Sequence, residues 1–278
     1  MKPFTLDPAP ATAHVGVLVN PSNECRPQLA LIEAWARGHG LDVVHLGTSA
    51  DPSDLAPECQ LLIALGGDGT ILRALQLAMS HHAAVLGVNF GTVGFLADVN
   101  GDDLGPALER ITSGESTVDE RTALTATMQA AEPSSVIAFN DVVIARRPGH
   151  GTARLGVDVG GEAMLALKGD GVVIASPTGS TAYTIGAGGP AVTPTLDAIV
   201  VTPLATQGSP LRSLVVDGRD MIRIEIAPSS APLRVEIDGR MIHDLPATGA
   251  LEICAAPRKA RLVRTRPRTF YRDLAERL

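Results

Sequence analysis

Aromatic side chains are scarce in this 278-residue chain: one Trp, two Tyr and five Phe make up 3% of it. A core without them is built from Ala, Val, Leu and Ile, which suits strands buried on both faces and sheet-rich packing. Charge is also sparse, at 19%, and the net value of −7 lacks the basic surplus with which general nucleic-acid binders neutralise phosphates, so no nucleic-acid partner is expected. The three cysteines, Cys25, Cys59 and Cys254, lie far apart without any Cys-x-x-Cys spacing. That excludes a zinc signature and fits reduced thiols used for packing. No run approaches the roughly 18 apolar residues of a membrane span, and residues 1–10, with Pro3, Pro8 and Pro10, hold no apolar stretch of signal length. A cytoplasmic protein without a membrane partner, acting on small molecules, is the expectation. With 45% hydrophobic residues the chain can core one large or two ordinary domains.

What is present centres on Leu61-Leu62-Ile63-Ala64-Leu65-Gly66-Gly67-Asp68-Gly69-Thr70, followed by Ile71, Leu72, Ala74 and Leu75 at helical spacing. It reads as a buried strand, a tight turn and a helix start. Gly66, Gly67 and Gly69 let backbone approach a ligand, and the free N–H groups of a helix start favour phosphate. Asp68 opposes phosphate there unless a metal bridges the two or the acid faces a hydroxyl that must lose its proton; either case points to phosphoryl transfer. Equally open for an isolated Gly-Gly-Asp-Gly is an Asp68 that merely caps the helix.

Around this stretch, strand and helix alternate. His14–Val19 reads as a first strand, Pro27 opens a helix with Leu29, Ile32 and Trp35 or Ala36 on one face, and residues 41–46 and 84–88 supply further strands. Such alternation predicts a mostly parallel sheet with ligands at the carboxyl ends of its strands, where the glycine turn and the loop Asn89-Phe90-Gly91-Thr92-Val93-Gly94-Phe95 both fall. His81-His82 reads as a solvated helix end. After a helix over residues 102–112 the pattern becomes short alternating runs: 122–128, 136–144, 155–159, 164–167, 172–175, 199–202, 221–226 and 233–237. The expected architecture is an α/β N-terminal domain over residues 1–120, an all-β, sandwich-like domain over 121–257, and a tail, 258–278. The tail is locally basic. Arg264, Arg266 and Arg268 read better as the solvated face of a strand than as a contact for a phosphate-rich partner, with a short helix over 270–278 packing on Leu274 and Leu278.

Two further stretches carry chemistry. Lys168-Gly169-Asp170-Gly171 leads through a buried strand into Ser176-Pro177-Thr178-Gly179-Ser180-Thr181-Ala182-Tyr183. Small hydroxyl residues and glycines around a tyrosine would make a pocket for a base or sugar ring, or simply a turn cluster with Tyr183 in the core. The stretch fails the Gly-x-Ser-x-Gly pattern of a hydrolase elbow. Gly186-Ala187-Gly188-Gly189-Pro190 is no dinucleotide fingerprint, because no strand directly precedes it and Pro190 stands where a helix should run. Asn140-Asp141, inside the apolar run 136–144, needs hydrogen-bond partners or a ligand to sit there.

Taken together, Gly66 to Thr70, Gly87 to Leu96, Asn140-Asp141 and Asp170 to Pro190 resemble the NAD kinase family in order and spacing, over residues 14–278. The resemblance implies the NAD kinase and diacylglycerol kinase-like fold, a tail returning to the first domain, and a homodimer or homotetramer. It implies phosphorylation of the 2′-hydroxyl of the adenosine ribose of NAD by ATP, or polyphosphate, with a divalent metal, Mg2+, bound with the donor and no protein side chain assigned as its ligand. Asp68 would be catalytic, orienting the hydroxyl and accepting its proton late, since a carboxylate is a weak base. Gly67, Gly69, Thr70 and Arg73 would lie at the phosphates. Asn140 and Asp141 would hold ribose hydroxyls, Thr181, Ala182 and Tyr183 would line the base pocket, Thr184, Ile185 and Gly186 would also bind the nucleotide, and Arg154, Lys168 and Asp170 match further contact positions. The chain departs from the family in having Asp141 where Glu is usual and in lacking a Pro-His-Ser type sequence over residues 202–209. A diacylglycerol-type lipid kinase shares the glycine turn but continues it with Leu-Asn-Glu-Val, where this chain has Ile71-Leu72-Arg73-Ala74. A non-catalytic nucleotide-binding regulator is the alternative of another class, and the presence of Asp68 speaks against it.

Overall fold

Apolar runs without alternation belong to strands covered on both faces, and residues 61–65 and 84–88 occupy that position. The computed structural model describes residues 2–6, 14–21, 24–55, 58–91, 94–129, 134–208, 211–245, 249–267 and 269–277. The chain divides into two units, Met1–Arg121 with Lys259–Leu278, and Thr122–Arg258.

The first unit contains β1 (Lys2–Phe4), β2 (His14–Val19), α1 (Arg26–Gly38), β3 (Asp42–Leu46), β4 (Cys59–Leu65), α2 (Asp68–His81), β5 (Ala84–Asn89), β6 (Val99–Asn100), α3 (Leu104–Thr112) and β7 (Ser116–Arg121). Its sheet runs β1-β7-(Ala260–Arg264)-β5-β4-β2-β3, with β6 beside β5. Strands β2 to β5 are parallel, and β7 and β1 form an antiparallel edge. One face packs Val17, Ile63 and Leu86 against Ile32 and Trp35 of α1 and Leu108 and Ile111 of α3. On the other face α2 lies so close that a Cβ on Gly87 would stand 2.6 Å from Cδ1 of Ile71. Cys25 and Cys59 are buried, and burial pushes the Cys59 thiol up to about 11, as expected of a packing cysteine. His82 ends α2 in the left-handed region and is exposed, whereas His81 is half-buried with Nε2 2.7 Å from the Pro52 carbonyl oxygen.

The second unit is a sandwich of β8 (Leu124–Gln129), β9 (Ser134–Ala138), β10 (Asp141–Arg146), β11 (Ala153–Val159), β12 (Glu162–Gly169), β13 (Gly171–Ala175), β14 (Ala198–Leu204), β15 (Leu214–Asp217), β16 (Ile222–Ile226), β17 (Leu233–Ile237), β18 (Arg240–Leu245) and β19 (Ala250–Ala255). A single helical turn, α4 (Tyr183–Gly186), interrupts them. The sheets run β15-β14-β13-β10-β17-β18 and β12-β11-β16-β19-β8-β9, all antiparallel. Period-two alternation puts Val142, Ile144, Val172 and Ile174 inward against Leu155, Val157, Ile224 and Ile253. The opposite face of β10, β13 and β14 is covered too: Val143, Val173 and Val200 pack under Val192. The chain then returns to the first unit with β20 (Ala260–Arg264) and α5 (Phe270–Ala275). Among the described residues no helix is long and apolar enough to cross a membrane.

Three expectations change. The run 136–144 is two strands in different sheets, broken at Phe139-Asn140, because the chain crosses there from one layer to the other. Arg264 is not solvated. It is 5% exposed, donates to the carbonyls of Leu96 (3.1 Å) and Ala97 (3.4 Å), and stands 3.7 Å from Asp98 and 3.6 Å from Asp119. Arg266 donates to the Asp98 carbonyl, and Arg268 lies outside the described residues. In α5 the buried residue is Asp273, Leu274 is half-buried, and Leu278 lies outside the described residues.

Ile174, fully buried between the two sheets, tests the sandwich core. Ile174→Ala should lower the unfolding free energy by about 3 kcal/mol, measured by urea denaturation.

Candidate functional site

At the carboxyl end of the parallel strands the ladder continues into the turn, with Gly66 N–H donating to Val88 O at 2.9 Å and Asn20 N–H to Leu65 O at 3.0 Å. Gly67 is the N-cap of α2 and Asp68 its first residue. The Asp68 carboxylate does not cap its own helix. It accepts N–H from Phe95 at 3.1 Å and from Leu96 at 3.3 Å, in the loop after β5. That loop approaches so tightly that a Cβ on Gly94 would overlap the carboxylate, so only glycine fits there. The Thr70 N–H donates to Gly67 O at 2.9 Å, while the Asp68 and Gly69 amides have no acceptor within the helix and leave a half-exposed, anion-favouring turn. Gly67 and Asp68 are half-buried, Gly69 exposed and Thr70 buried. Arg73, half-buried one turn further, donates to the Ala50 carbonyl and to Gln76 Oε1 (3.1 Å). Thr92 and Val93 lie outside the described residues.

In the second unit Asn140 and Asp141 form the corner between β9 and β10. Asp238 builds that corner. From the β17–β18 turn, at φ +48°, its carboxylate accepts N–H from Phe139 (3.0 Å), Asn140 (2.7 Å) and Asp141 (3.2 Å), and its own N–H donates to Asp141 O at 3.0 Å. Ser176 N–H donates to Asn140 O at 2.9 Å, and Gly179 lies where a Cβ would overlap the Asn140 carbonyl. The corner and the segment after β13 are thereby brought together. The Tyr183 N–H donates to the Asp141 carboxyl. Along that segment Thr181 is half-buried, Ala182 and Tyr183 exposed, Thr184 buried with its hydroxyl unpartnered among the described residues, Ile185 half-buried and Gly186 exposed.

Asp141 is 3% exposed, and its carboxyl is pushed up to about 7, by burial first and then by the charges of Asp238 and Glu236, against the opposing Tyr183 bond. At neutral pH it can therefore both donate and accept a hydrogen bond. Nearby, a cavity of about 410 Å³ has an apolar floor of Ala145, Ala187 and Leu204 and a rim of Tyr183, Arg146 and Asp170. Arg146 Nε is 2.6 Å from Asp170 Oδ1. An aromatic wall, an apolar floor and a paired carboxylate suit a flat heteroaromatic ring. Arg154 and Lys168 face each other across β11 and β12, in the other sheet, with exposed side chains. Sequence reasoning missed three of these groups. Asp238 had a signal, the Asp238-Gly239 pair typical of a tight hairpin turn; Arg146 had none; Gly94 stood inside a quoted motif without its reason.

Residues 50–116 match the family described as ATP-NAD kinase N-terminal domain, and residues 139–265 match the ATP-NAD kinase C-terminal domain. Over 239 residues the chain is 36% identical to the NAD kinase of Heliobacterium modesticaldum, covering 85% of this chain and 84% of that protein. Two solved structures share its fold. Yeast NADH kinase complexed with NADH gives a TM-score of 0.85 at 23% identity, covering 97% of this chain and 88% of that one. An NAD kinase from Archaeoglobus fulgidus in complex with ATP gives 0.77 at 22%, covering 95% and 97%.

The Asp141 environment has a consequence for stability. Its carboxyl rises from 3.8 to about 7 on folding, so the folded chain holds the proton more tightly. The cost of ionising it is absent below about pH 4, grows as pH rises, and is complete above about pH 7. Asp141→Asn should therefore flatten the fall in unfolding free energy over this window, measured by urea melts at stepped pH; an unchanged slope would show that Asp141 ionises freely in the fold.

Proposed function

Since this chain belongs to the NAD kinase family, we propose that it transfers the terminal phosphoryl group of ATP to the 2′-hydroxyl of the adenosine ribose of NAD, giving NADP, with Asp68 at the reacting hydroxyl. The observation that carries the residue assignment is the Asp68 carboxylate, held by the amides of Phe95 and Leu96 beside the open amides of α2. Phosphoryl transfer needs position and charge neutralisation more than covalent chemistry. Asp68 orients the hydroxyl and takes its proton as the bond to phosphorus forms. Gly67 and Gly69 offer backbone N–H groups to the donor phosphates, Thr70, whose own N–H goes to Gly67 O, closes the turn beside them, and Arg73, held through Ala50 and Gln76, reaches them by rotating its guanidinium. Asn140 and Asp141 bind ribose hydroxyls, and the near-neutral Asp141 serves a hydroxyl as donor or acceptor. Tyr183, with Thr181, Ala182, Thr184, Ile185 and Gly186, lines the base site, Asp170 meets the ring's exocyclic groups, and Arg154 and Lys168 supply outlying positive charge.

No group of three His, Cys, Asp or Glu side chains able to hold a metal comes together among the described residues. The Mg2+ of the proposal is carried by the donor's phosphates, with no protein side chain assigned as its ligand. When bound, the ion neutralises charge on the phosphates. A cytoplasmic homodimer or homotetramer, with domains at 1–120 and 121–257 and a returning tail at 258–278, completes the proposal. Family membership sets the lipid kinase reading aside. The inactive-regulator reading is decided by assay.

NADP formation from NAD and ATP should require Mg2+ and be lost on chelation. Asp68→Asn should cut turnover by at least ~100-fold, the scale of a lost general base, while NAD binding measured by calorimetry stays within a few-fold. Near-normal turnover in that variant removes Asp68 from the chemistry.

A further inference from the structure

The loop that holds Asp68 is itself held from the far end of the sequence. Leu96 gives its N–H to Asp68 Oδ1 at 3.3 Å and its carbonyl to Arg264 Nη1 at 3.1 Å. The next carbonyl, of Ala97, lies 3.4 Å from the same nitrogen. Asp98, fully buried, accepts from Thr265 N–H (2.9 Å) and Thr265 Oγ1 (2.7 Å) and sits 3.7 Å from Arg264. One residue before Leu96, the Arg277 guanidinium lies over the Phe95 ring, 4.0 Å from its centroid. All of these groups belong to the first unit. A guanidinium spends its fixed fork of donors on carbonyls and carboxylates whose positions it then dictates. A buried cation so placed has two acids to balance it, Asp98 and Asp119, which keeps it from drifting.

We propose that Arg264 is a positioning residue for phosphoryl transfer. By fixing the Leu96 and Ala97 carbonyls it sets where the Phe95 and Leu96 amides stand, and so the direction in which Asp68 presents its carboxylate. Arg277 assists through Phe95. The proposal rests on the reading of Asp68 given above. Lysine at 264 keeps the charge, but its single ammonium cannot stand both where Nη1 meets the Leu96 and Ala97 carbonyls and where Nε faces Asp119.

The test is a double-mutant cycle on NADP formation. Misplacement of a reacting group by a fraction of an ångström costs turnover more than binding, so Arg264→Lys should lower kcat by about 10-fold and leave KM for NAD within about 2-fold. In the Asp68→Asn background the same substitution should change the residual turnover by less than about 2-fold, because the group being aimed is gone. Arg277→Ala, at an exposed residue, should lower kcat about 3-fold with the same disappearance in the Asp68→Asn background, and carries the test if Arg264→Lys does not fold. Equal losses in both backgrounds, or a loss confined to KM, overturn the proposal and make Arg264 structural. Near-normal turnover of Asp68→Asn alone instead overturns the reading on which the proposal rests.

Discussion

A carboxylate tied to two backbone amides from another segment is the constraint on which the first unit's chemistry depends. Asp68 stands on the first turn of α2, where capping by its own helix would be the local solution, yet its oxygens are taken by Phe95 and Leu96. An acid held in this way keeps its direction without a side-chain partner that a substrate would have to displace. It also leaves the Asp68 and Gly69 amides without an acceptor in the helix. The arrangement requires Gly94, because any Cβ there would occupy the carboxylate's place.

The second unit solves a similar problem with the same device. Asn140 and Asp141 are fixed through their backbone by one carboxylate, Asp238, rather than through their own side chains. The Asn140 side chain remains available for a ligand, whereas the buried Asp141 carboxyl already accepts the Tyr183 N–H. The same carboxylate, together with burial and Glu236, keeps Asp141 near the middle of its titration at neutral pH. Both proposed ligand-facing acids are thus placed by backbone hydrogen bonding, which is directional and tolerates little drift.

Much of this was legible from sequence because burial on both faces leaves an unambiguous trace. Residues 61–65 and 84–88 are apolar throughout, and β2, β3 and β13 fell where their runs predicted. The glycine turn was legible for the complementary reason, since so many small residues beside an acid leave few roles. What failed was anything decided by a distant partner. The break at Phe139-Asn140 lies inside a run in which Asn140 and Asp141 are the only polar residues, and it is Asp238, in a turn near the other end of the unit, that takes the amides freed where the strand ends. Arg264 carried the same charge as its exposed neighbours, and nothing local announced that Asp98 and Asp119 would bury it. Strands β15 and β18 leave little trace because they stand at the edges of their sheet, and β19, although interior, has only Leu251 and Ile253 facing the core.

The place of β20 in its sheet has a bearing on how the protein is made. This strand lies between β5 and β7, at the interior of the sheet, although it follows the whole second unit in the chain. During synthesis, residues 122–258 emerge as one uninterrupted stretch, while the first unit must wait with Ala84 and Val85 of β5 and the facing edge of β7 without their partner strand until residue 264 has left the ribosome. Until then the loop around Asp68 has no Arg264 beneath it. The order of translation therefore makes Asp68 among the last groups to be set, and a chain cut short before residue 260 would carry every recognisable motif without the strand that steadies them.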